Sequence, residues 1–310
     1  MNETHLPILK DDPNITTVTI ALNYLCNSRC RFCFIERELD MKLPDTSDEY
    51  LERVFRENRE RKRYRRLILA GAEATLRADL PDIARRALEE GGFEVIRLQT
   101  NGRRLAKASY LAQLIDAGVQ EYFVSVHAGT AELDAHLTRN PLSFREMRAG
   151  LENLVRSGAR TISNTCVSRD NYEHLGELSD FLLEVGVPES HFWAFIEFGD
   201  IGQSDQHVPH AEAIPHVQAA ARRLLAAGHE VVLSWFPECA LGDVRDRLVD
   251  HRDDTLIHDE FSSRAKNHGG FSCPHQERCT HFGKTCIGLH ERHVELCGDE
   301  RELLTPFEGP

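Results

Sequence analysis

Between residues 16 and 198, short apolar runs rich in β-branched residues alternate with stretches of helical period. The strand-like runs are 16–25, 66–70, 93–99, 119–126, 159–167 and 191–198. Helices are expected at about 45–61, 80–90, 107–117, 143–157 and 172–185, and the last four stop at Gly91, Gly118, Gly158 and Gly186. Glycine takes the left-handed exit of a helix without a Cβ penalty. Strands separated by helices pair in parallel through right-handed crossovers. The expected fold is therefore α/β, a partial (β/α) barrel of six units open along one side, with reactive groups at the carboxyl ends of the strands. A further helix at 210–227, closed by Gly228, and a strand at 229–236 read as a connection. Past Pro237, cysteine, histidine and turn residues dominate. The expected division is an arm at 1–14, the barrel at 15–205, the connecting helix and strand at 206–236, and a small cysteine-rich domain at 237–310.

A net charge of −13 argues against affinity for phosphate backbones or anionic membranes, so nucleic acid is not an expected partner. No run of about 18 apolar residues is present, and the first residues are neither basic nor apolar, so the expected location is the cytoplasm. There, nine cysteines read as metal ligands or free thiols rather than disulfides, and the sequons at Asn2 and Asn14 carry no meaning. Most of the sixteen histidines are scattered singly, as at His136, His174 and His216, and read as surface or hydrogen-bonded residues.

Cys26, Cys30 and Cys33, spaced CxxxCxxC, follow directly on the first strand-like run. A loop of this length can aim three sulfurs at one point. Three thiolates leave one iron of a four-iron cluster without a protein ligand, and an open iron can bind a small molecule, whereas electron carriers are closed by four cysteines. A zinc loop or buried core cysteines are the competing readings.

With Phe32 before the third cysteine, the loop resembles the CxxxCxΦC signature of the radical S-adenosylmethionine (SAM) superfamily. Later strand ends agree. Gly71-Ala72-Glu73-Ala74-Thr75 resembles that family's GGEPT segment with two positions changed to alanine, Thr100-Asn101-Gly102 its TNG ending, and Ser125-Val126-His127-Ala128-Gly129 its fourth-strand ending. The resemblance implies a [4Fe-4S] cluster on Cys26, Cys30 and Cys33, with the SAM amino and carboxylate groups on the fourth iron. It further implies that Gly71, Ala72 and Glu73 present carbonyls to the SAM ammonium and that Phe32 packs near the adenine. Asn101 belongs to the same cofactor site, Ser125 and Asn164 bond ribose or methionine groups, and Arg169 pairs with the SAM carboxylate. Polar residues at strand ends also cap the next helix, the alternative for Ser125, Asn164 and Arg169. Cys166 reads as a packing thiol. His127 could face substrate, and Trp193, Phe195 and Glu197 either line the cavity or fill the core.

In the tail, Cys239, Cys279 and Cys286-Ile287-Gly288, with the stretch 298–303, resemble the auxiliary-cluster extensions called SPASM and twitch domains. The usual CxxC before the last cysteine is absent and Cys273 sits further upstream. The expected ligands of a second [4Fe-4S] cluster are Cys239, Cys273, Cys279 and Cys286, with Cys297 in reserve because it falls in an expected helix. Structural zinc is the rival occupant, with His275 and His281 near enough to contribute. The resemblance implies an oxidoreductase of biosynthesis that cleaves SAM to a 5′-deoxyadenosyl radical and abstracts hydrogen from a small molecule or peptide. Net oxidation through the second cluster is favoured, and flavodoxin or ferredoxin is the expected reducing partner. A redox-neutral decarboxylase or epimerase acting on a sugar or nucleoside, and a non-catalytic iron-sulfur or zinc regulator, are the alternatives.

Overall fold

The computed structural model describes residues 14–33, 35, 43–197, 204–249, 254–256 and 270–309. Its elements run β1 (Thr17–Ala21), α1 (Asp48–Arg61), β2 (Arg66–Ala70), α2 (Leu80–Glu89), β3 (Val95–Thr100), α3 (Ala108–Asp116), β4 (Glu121–Ser125), α4 (Ala131–Thr138), α5 (Ser143–Ser157), β5 (Arg160–Val167), α6 (Leu175–Val185), β6 (Glu189–Ala194), α7 (His210–Ala226), β7 (Glu230–Ser234) and β8 (Asp254–Leu256). Beyond them lie the two-stranded pair β9 (Phe271–Ser272) and β10 (Leu289–His290), and helix α8 (Glu291–Cys297). One sheet has the order β7-β6-β5-β4-β3-β2-β1-β8, and all its pairings are parallel.

The two faces of the sheet differ in the way that strand alternation demands. On one face Leu67, Leu69, Ile96, Leu98, Tyr122 and Val124 are fully buried in a single core with the apolar stripes of the helices, such as Leu51 and Phe55 of α1, Ile83 of α2 and Leu151 of α5. The other face is less covered. Gln99, Ser125, Asn164, Cys166, Trp193 and Val232 there are all partly exposed. At the amino ends of the strands this second face is closed by charge. Glu121 accepts from Arg97 Nε at 2.8 Å, Arg160 at 3.1 Å and Arg66 at 3.2 Å, and Arg160 reaches on to Glu189 at 2.9 Å. A buried carboxylate among three guanidiniums leaves no charge unpaired, and polar groups remain approachable toward the carboxyl ends.

The α/β architecture of alternating units is the expected one, with four differences. The helix and strand expected as a connection extend the sheet, because β7 pairs in parallel with β6. On the opposite edge β8, not foreseen, pairs with β1, and Asp254 at its start accepts a hydrogen bond from the Tyr64 hydroxyl. Helix α4 was also unforeseen; it is capped by Thr130, whose hydroxyl accepts from Leu133 N at 3.4 Å. The first strand is shorter than 16–25, since Leu22 onward leaves the ladder and Leu25 is exposed. The expected arm up to residue 13, the end of the sixth strand at Phe198 and residues 199–203 after it lie outside the described residues.

Asn58 joins α1 to the sheet. Its side chain is 2% exposed, donates to the carbonyls of Tyr64 and Gly91, and accepts from Tyr64 N at 2.8 Å. Asn58→Ala would strand three buried backbone groups. The expected cost is about 2–4 kcal/mol of stability, read as a lower denaturation midpoint in anaerobic urea melts; a loss below about 0.5 kcal/mol would contradict it.

Candidate functional site

Cys26, Cys30 and Cys33 lie in the loop just past β1, at the carboxyl end of the sheet. Burial pushes the Cys30 thiol well above its ordinary range, and the neighbouring sulfurs of Cys33 and Cys26 and the carboxylate of Asp134 push the same way. Burial raises Cys26 too, against backbone N–H groups and Arg103 that favour its thiolate. Ser28 N donates to Cys26 Sγ at 3.4 Å. Crowded thiolates are stabilised by cationic ligands, and metal binding displaces the protons.

The loop is gripped from outside. Arg29 N and Arg31 N donate to the carbonyls of Thr138 and Leu137, at 3.1 and 2.8 Å, so the unforeseen α4 supplies its unsatisfied C-terminal acceptors to the cysteine loop. Arg103, nearly buried on its Glu146 ion pair, donates to the Asn27 carbonyl and to Ser28 Oγ. Arg31 bonds Asp170, which also holds His136 and Gln206. Asn101, expected in the cofactor site, donates from Nδ2 to Asn27 Oδ1 at 2.6 Å and accepts at Oδ1 from Arg103 N.

The segment from Gly71 to Glu73 sits beside this loop. Gly71 has φ +139°, and a Cβ there would collide with Asn23, so glycine is required. Ala72 N donates to the Asn23 carbonyl and Asn23 Nδ2 donates to the Glu73 carbonyl at 2.9 Å. The Glu73 carboxylate, 1% exposed, accepts from Thr75 N, Thr75 Oγ1, Thr100 Oγ1 and Asn101 N. One buried side chain thus locks the ends of β2 and β3 together.

On the open face, Asn164 Oδ1 is buried with no hydrogen-bond partner among the described residues. Ser125 is its neighbour in the ladder. His127 is held: its Nδ1 accepts from Cys166 N at 3.1 Å, burial lowers its pKa to about 3, and Phe32 packs edge-on against it at 4.4 Å. Cys166 is a neutral thiol, pushed by burial to about 12. Arg169 donates from Nε to the His207 carbonyl. Trp193 packs against Phe123 and Trp235, Phe195 against His207, and Glu197 pairs with Arg292 of α8 at 3.2 Å.

The second cysteine group converges although its spacing is irregular. Cys239, Cys273, Cys279 and Cys286 line one pocket with Pro237, His275 and Phe282. Burial lifts the Cys239 thiol to about 11, reinforced by the sulfurs of Cys286 and Cys273, while the Thr305 N–H opposes. Glu238 N and His275 N donate to the sulfurs of Cys286 and Cys273, at 3.5 and 3.4 Å. Gly288, at φ +82°, is where a Cβ would strike the Ser272 carbonyl. His281 is engaged elsewhere, against Glu238 and stacked on Phe307. Cys297, the reserve ligand, does not line this pocket and feels Glu300, Arg169 and Glu212 instead.

A family model described as the Radical SAM superfamily matches residues 20–182. The chain belongs to the radical SAM superfamily. Membership implies a [4Fe-4S] cluster and SAM as cofactors. Among relatives, a probable GTP 3′,8-cyclase of Sulfurisphaera tokodaii is 26% identical over 206 residues, 66% of this chain and 63% of that protein. The chain thus spans less than two thirds of that relative's length. SuiB of Streptococcus suis, bound to S-adenosylmethionine, superposes with a TM-score of 0.61 at 17% identity over 74% of this chain and 52% of that one. The structure of anSMEcpe with AdoMet and Kp18Cys peptide gives 0.59 at 13% identity, covering 93% of this chain and 82% of its own. These two likenesses are of fold. The three crowded sulfurs and the orphaned Asn164 oxygen fit a radical SAM cofactor pair, since the cluster needs three thiolates and SAM brings hydroxyl and ammonium donors.

Sequence reasoning missed Arg31, Arg103, Asn23 and α4. For α4 the signal was Thr130 followed by Leu133 and Leu137 at helical spacing. Glu73→Gln would place an amide N–H against groups that all donate. SAM affinity, measured by equilibrium dialysis of the cluster-loaded protein, is expected to fall at least about tenfold while the iron content holds. Unchanged affinity would show that the locked strand ends do not shape the SAM site.

Proposed function

We propose that this radical SAM enzyme abstracts hydrogen from a peptide or small-molecule substrate of a biosynthetic pathway, with net oxidation as the outcome. The observation that carries the reading is the second pocket, which four cysteines line together. Four thiolates close a cluster to further ligands and suit it to accept an electron.

When bound, the cluster on Cys26, Cys30 and Cys33 together with SAM supplies a 5′-deoxyadenosyl radical. The protein's part is positioning. Arg103, Asn101 and the end of α4 fix the loop that carries the three sulfurs. Asn164 Oδ1 is suited to accept a hydroxyl hydrogen bond, with Ser125 beside it, and Phe32 on neutral His127 forms an apolar wall for an adenine. Arg169 keeps its terminal nitrogens for a carboxylate while its Nε holds the His207 carbonyl. The Gly71-Ala72-Glu73 backbone, fixed by Asn23, is the candidate acceptor of the SAM ammonium. Cys239, Cys273, Cys279 and Cys286 would hold the auxiliary [4Fe-4S] cluster, and an external flavodoxin or ferredoxin would reduce the first one. A second reading, redox-neutral chemistry on a nucleoside or sugar, draws on the likeness to a relative named as a GTP 3′,8-cyclase.

Two measurements test the proposal. Replacing Cys26, Cys30 and Cys33 together by alanine is expected to abolish 5′-deoxyadenosine formation with dithionite and SAM, yet to leave about four iron and four sulfide per chain on the second pocket. Zinc without acid-labile sulfide in that variant would remove the auxiliary cluster and, with it, the case for net oxidation. During turnover, one SAM consumed per product oxidised by two electrons, with no net use of reductant, supports oxidation, because one hydrogen atom leaves on 5′-deoxyadenosine and the second electron replaces the one spent on SAM; regenerated SAM, or two electrons of reductant used per product, supports the redox-neutral reading.

A further inference from the structure

A group of buried histidines lies apart from both cysteine sites, where α8 meets the start of α7. His210 is the first residue of α7, His293 belongs to α8, and Glu300 follows α8. One ligand atom from each lies within 4.8 Å of the other two. His210 and His293 are 6% and 3% exposed, and their rings stack with centroids 4.2 Å apart. His293 Nε2 is 2.7 Å from Glu300 Oε2, and the other carboxylate oxygen accepts from Ala211 N at 2.8 Å.

We propose that His210, His293 and Glu300 bind one zinc-type divalent ion, which fastens the cysteine-rich segment to the seventh β/α unit of the sheet. The donor set argues for this class of ion. Two imidazoles and a carboxylate suit Zn²⁺ and its borderline neighbours, whereas magnesium and calcium prefer oxygen alone. Tetrahedral zinc with bonds of about 2.0–2.1 Å needs donors about 3.3 Å apart. The His293–Glu300 pair is already inside that distance, and modest side-chain rotation brings His210 in. The ion takes the place of the proton now shared by His293 and Glu300, which leaves to solvent.

An independent observation points to the same place. His207 is 2% exposed, its Nε2 lies 3.5 Å from the buried Glu197 carboxylate, neither ring nitrogen has a hydrogen-bond partner among the described residues, and its ring centre is 5.9 Å from that of His293. Buried polar atoms without partners are rare, and an absent ion is one of their usual causes.

The test uses the anaerobically reconstituted holoprotein, stripped with a mild chelator and given one equivalent of Zn²⁺. Zinc is counted by plasma emission and its ligands read by K-edge X-ray absorption. The expected result is one zinc per chain with a nitrogen and oxygen shell near about 2.0 Å and no sulfur shell near about 2.3 Å. His293→Gln and Glu300→Gln should each weaken zinc binding at least tenfold without changing iron or sulfide content. No retained zinc, a sulfur-containing shell, or unchanged zinc binding in both variants overturns the proposal and leaves the group as a hydrogen-bonded brace. If the variants lose their iron through misfolding, the absorption spectrum of the unsubstituted holoprotein still decides between sulfur-free and sulfur-bound zinc. None of these readouts depends on SAM cleavage, so failure here leaves the proposed function standing.

Discussion

The cysteine loop after β1 depends on bonds it does not make to itself. Its amide groups at Arg29 and Arg31 end on the last carbonyls of α4, and its Asn27 carbonyl is held by Arg103 and Asn140. Asn101 at the end of β3 fixes the Asn27 side chain, and Arg31 anchors to Asp170 beyond β5. Parts of three separate β/α units therefore set where three sulfurs point. A loop that donates to buried acceptors cannot shift without stranding them. The placing of the three sulfurs is a property of the sheet's carboxyl edge and not of the motif alone.

The parts that were legible from sequence share a cause. Periods of two and of 3.6, glycine stops such as Gly158 and Gly186, and a fixed cysteine spacing are all local in the chain. They mark β1 to β6, with β1 shorter than expected. What escaped is non-local. Nothing near Asp254 announces that three residues will pair with β1, because the partner lies far away in sequence. Helix α4 has a weak apolar stripe, since much of its use is to offer carbonyl groups to Arg29 and Arg31. Asn101, read as part of the cofactor site, bonds the Asn27 side chain, a partner far away in sequence. Cys239, Cys273, Cys279 and Cys286, grouped from the sequence despite their irregular spacing, line one pocket, and β9 and β10 bring Ser272 next to Leu289.

The two cysteine groups are built on different physical terms. The first packs on a small apolar cluster of Ala21, Tyr24, Ile35 and Leu43, and the guanidinium groups of Arg103 and Arg31 brace its loop. The second sits in a segment of short elements, held to the sheet by polar contacts such as Glu197 with Arg292 and Glu300 with the start of α7. Directional bonds from three β/α units fix the first, and polar contacts to the sheet help hold the second.

The order of the strands has one further consequence. Neighbours from β1 to β7 follow one another along the chain, so each new strand finds its partner already laid down. The pairing of β8 with β1 is the exception, joining the first strand to one made after all the others in that sheet. During synthesis the outer edge of β1, which leads directly into the cysteine loop, stays uncovered until very late. An exposed parallel edge is a place for mispairing with another nascent chain, and three residues ending at Leu256 are what finally cover it.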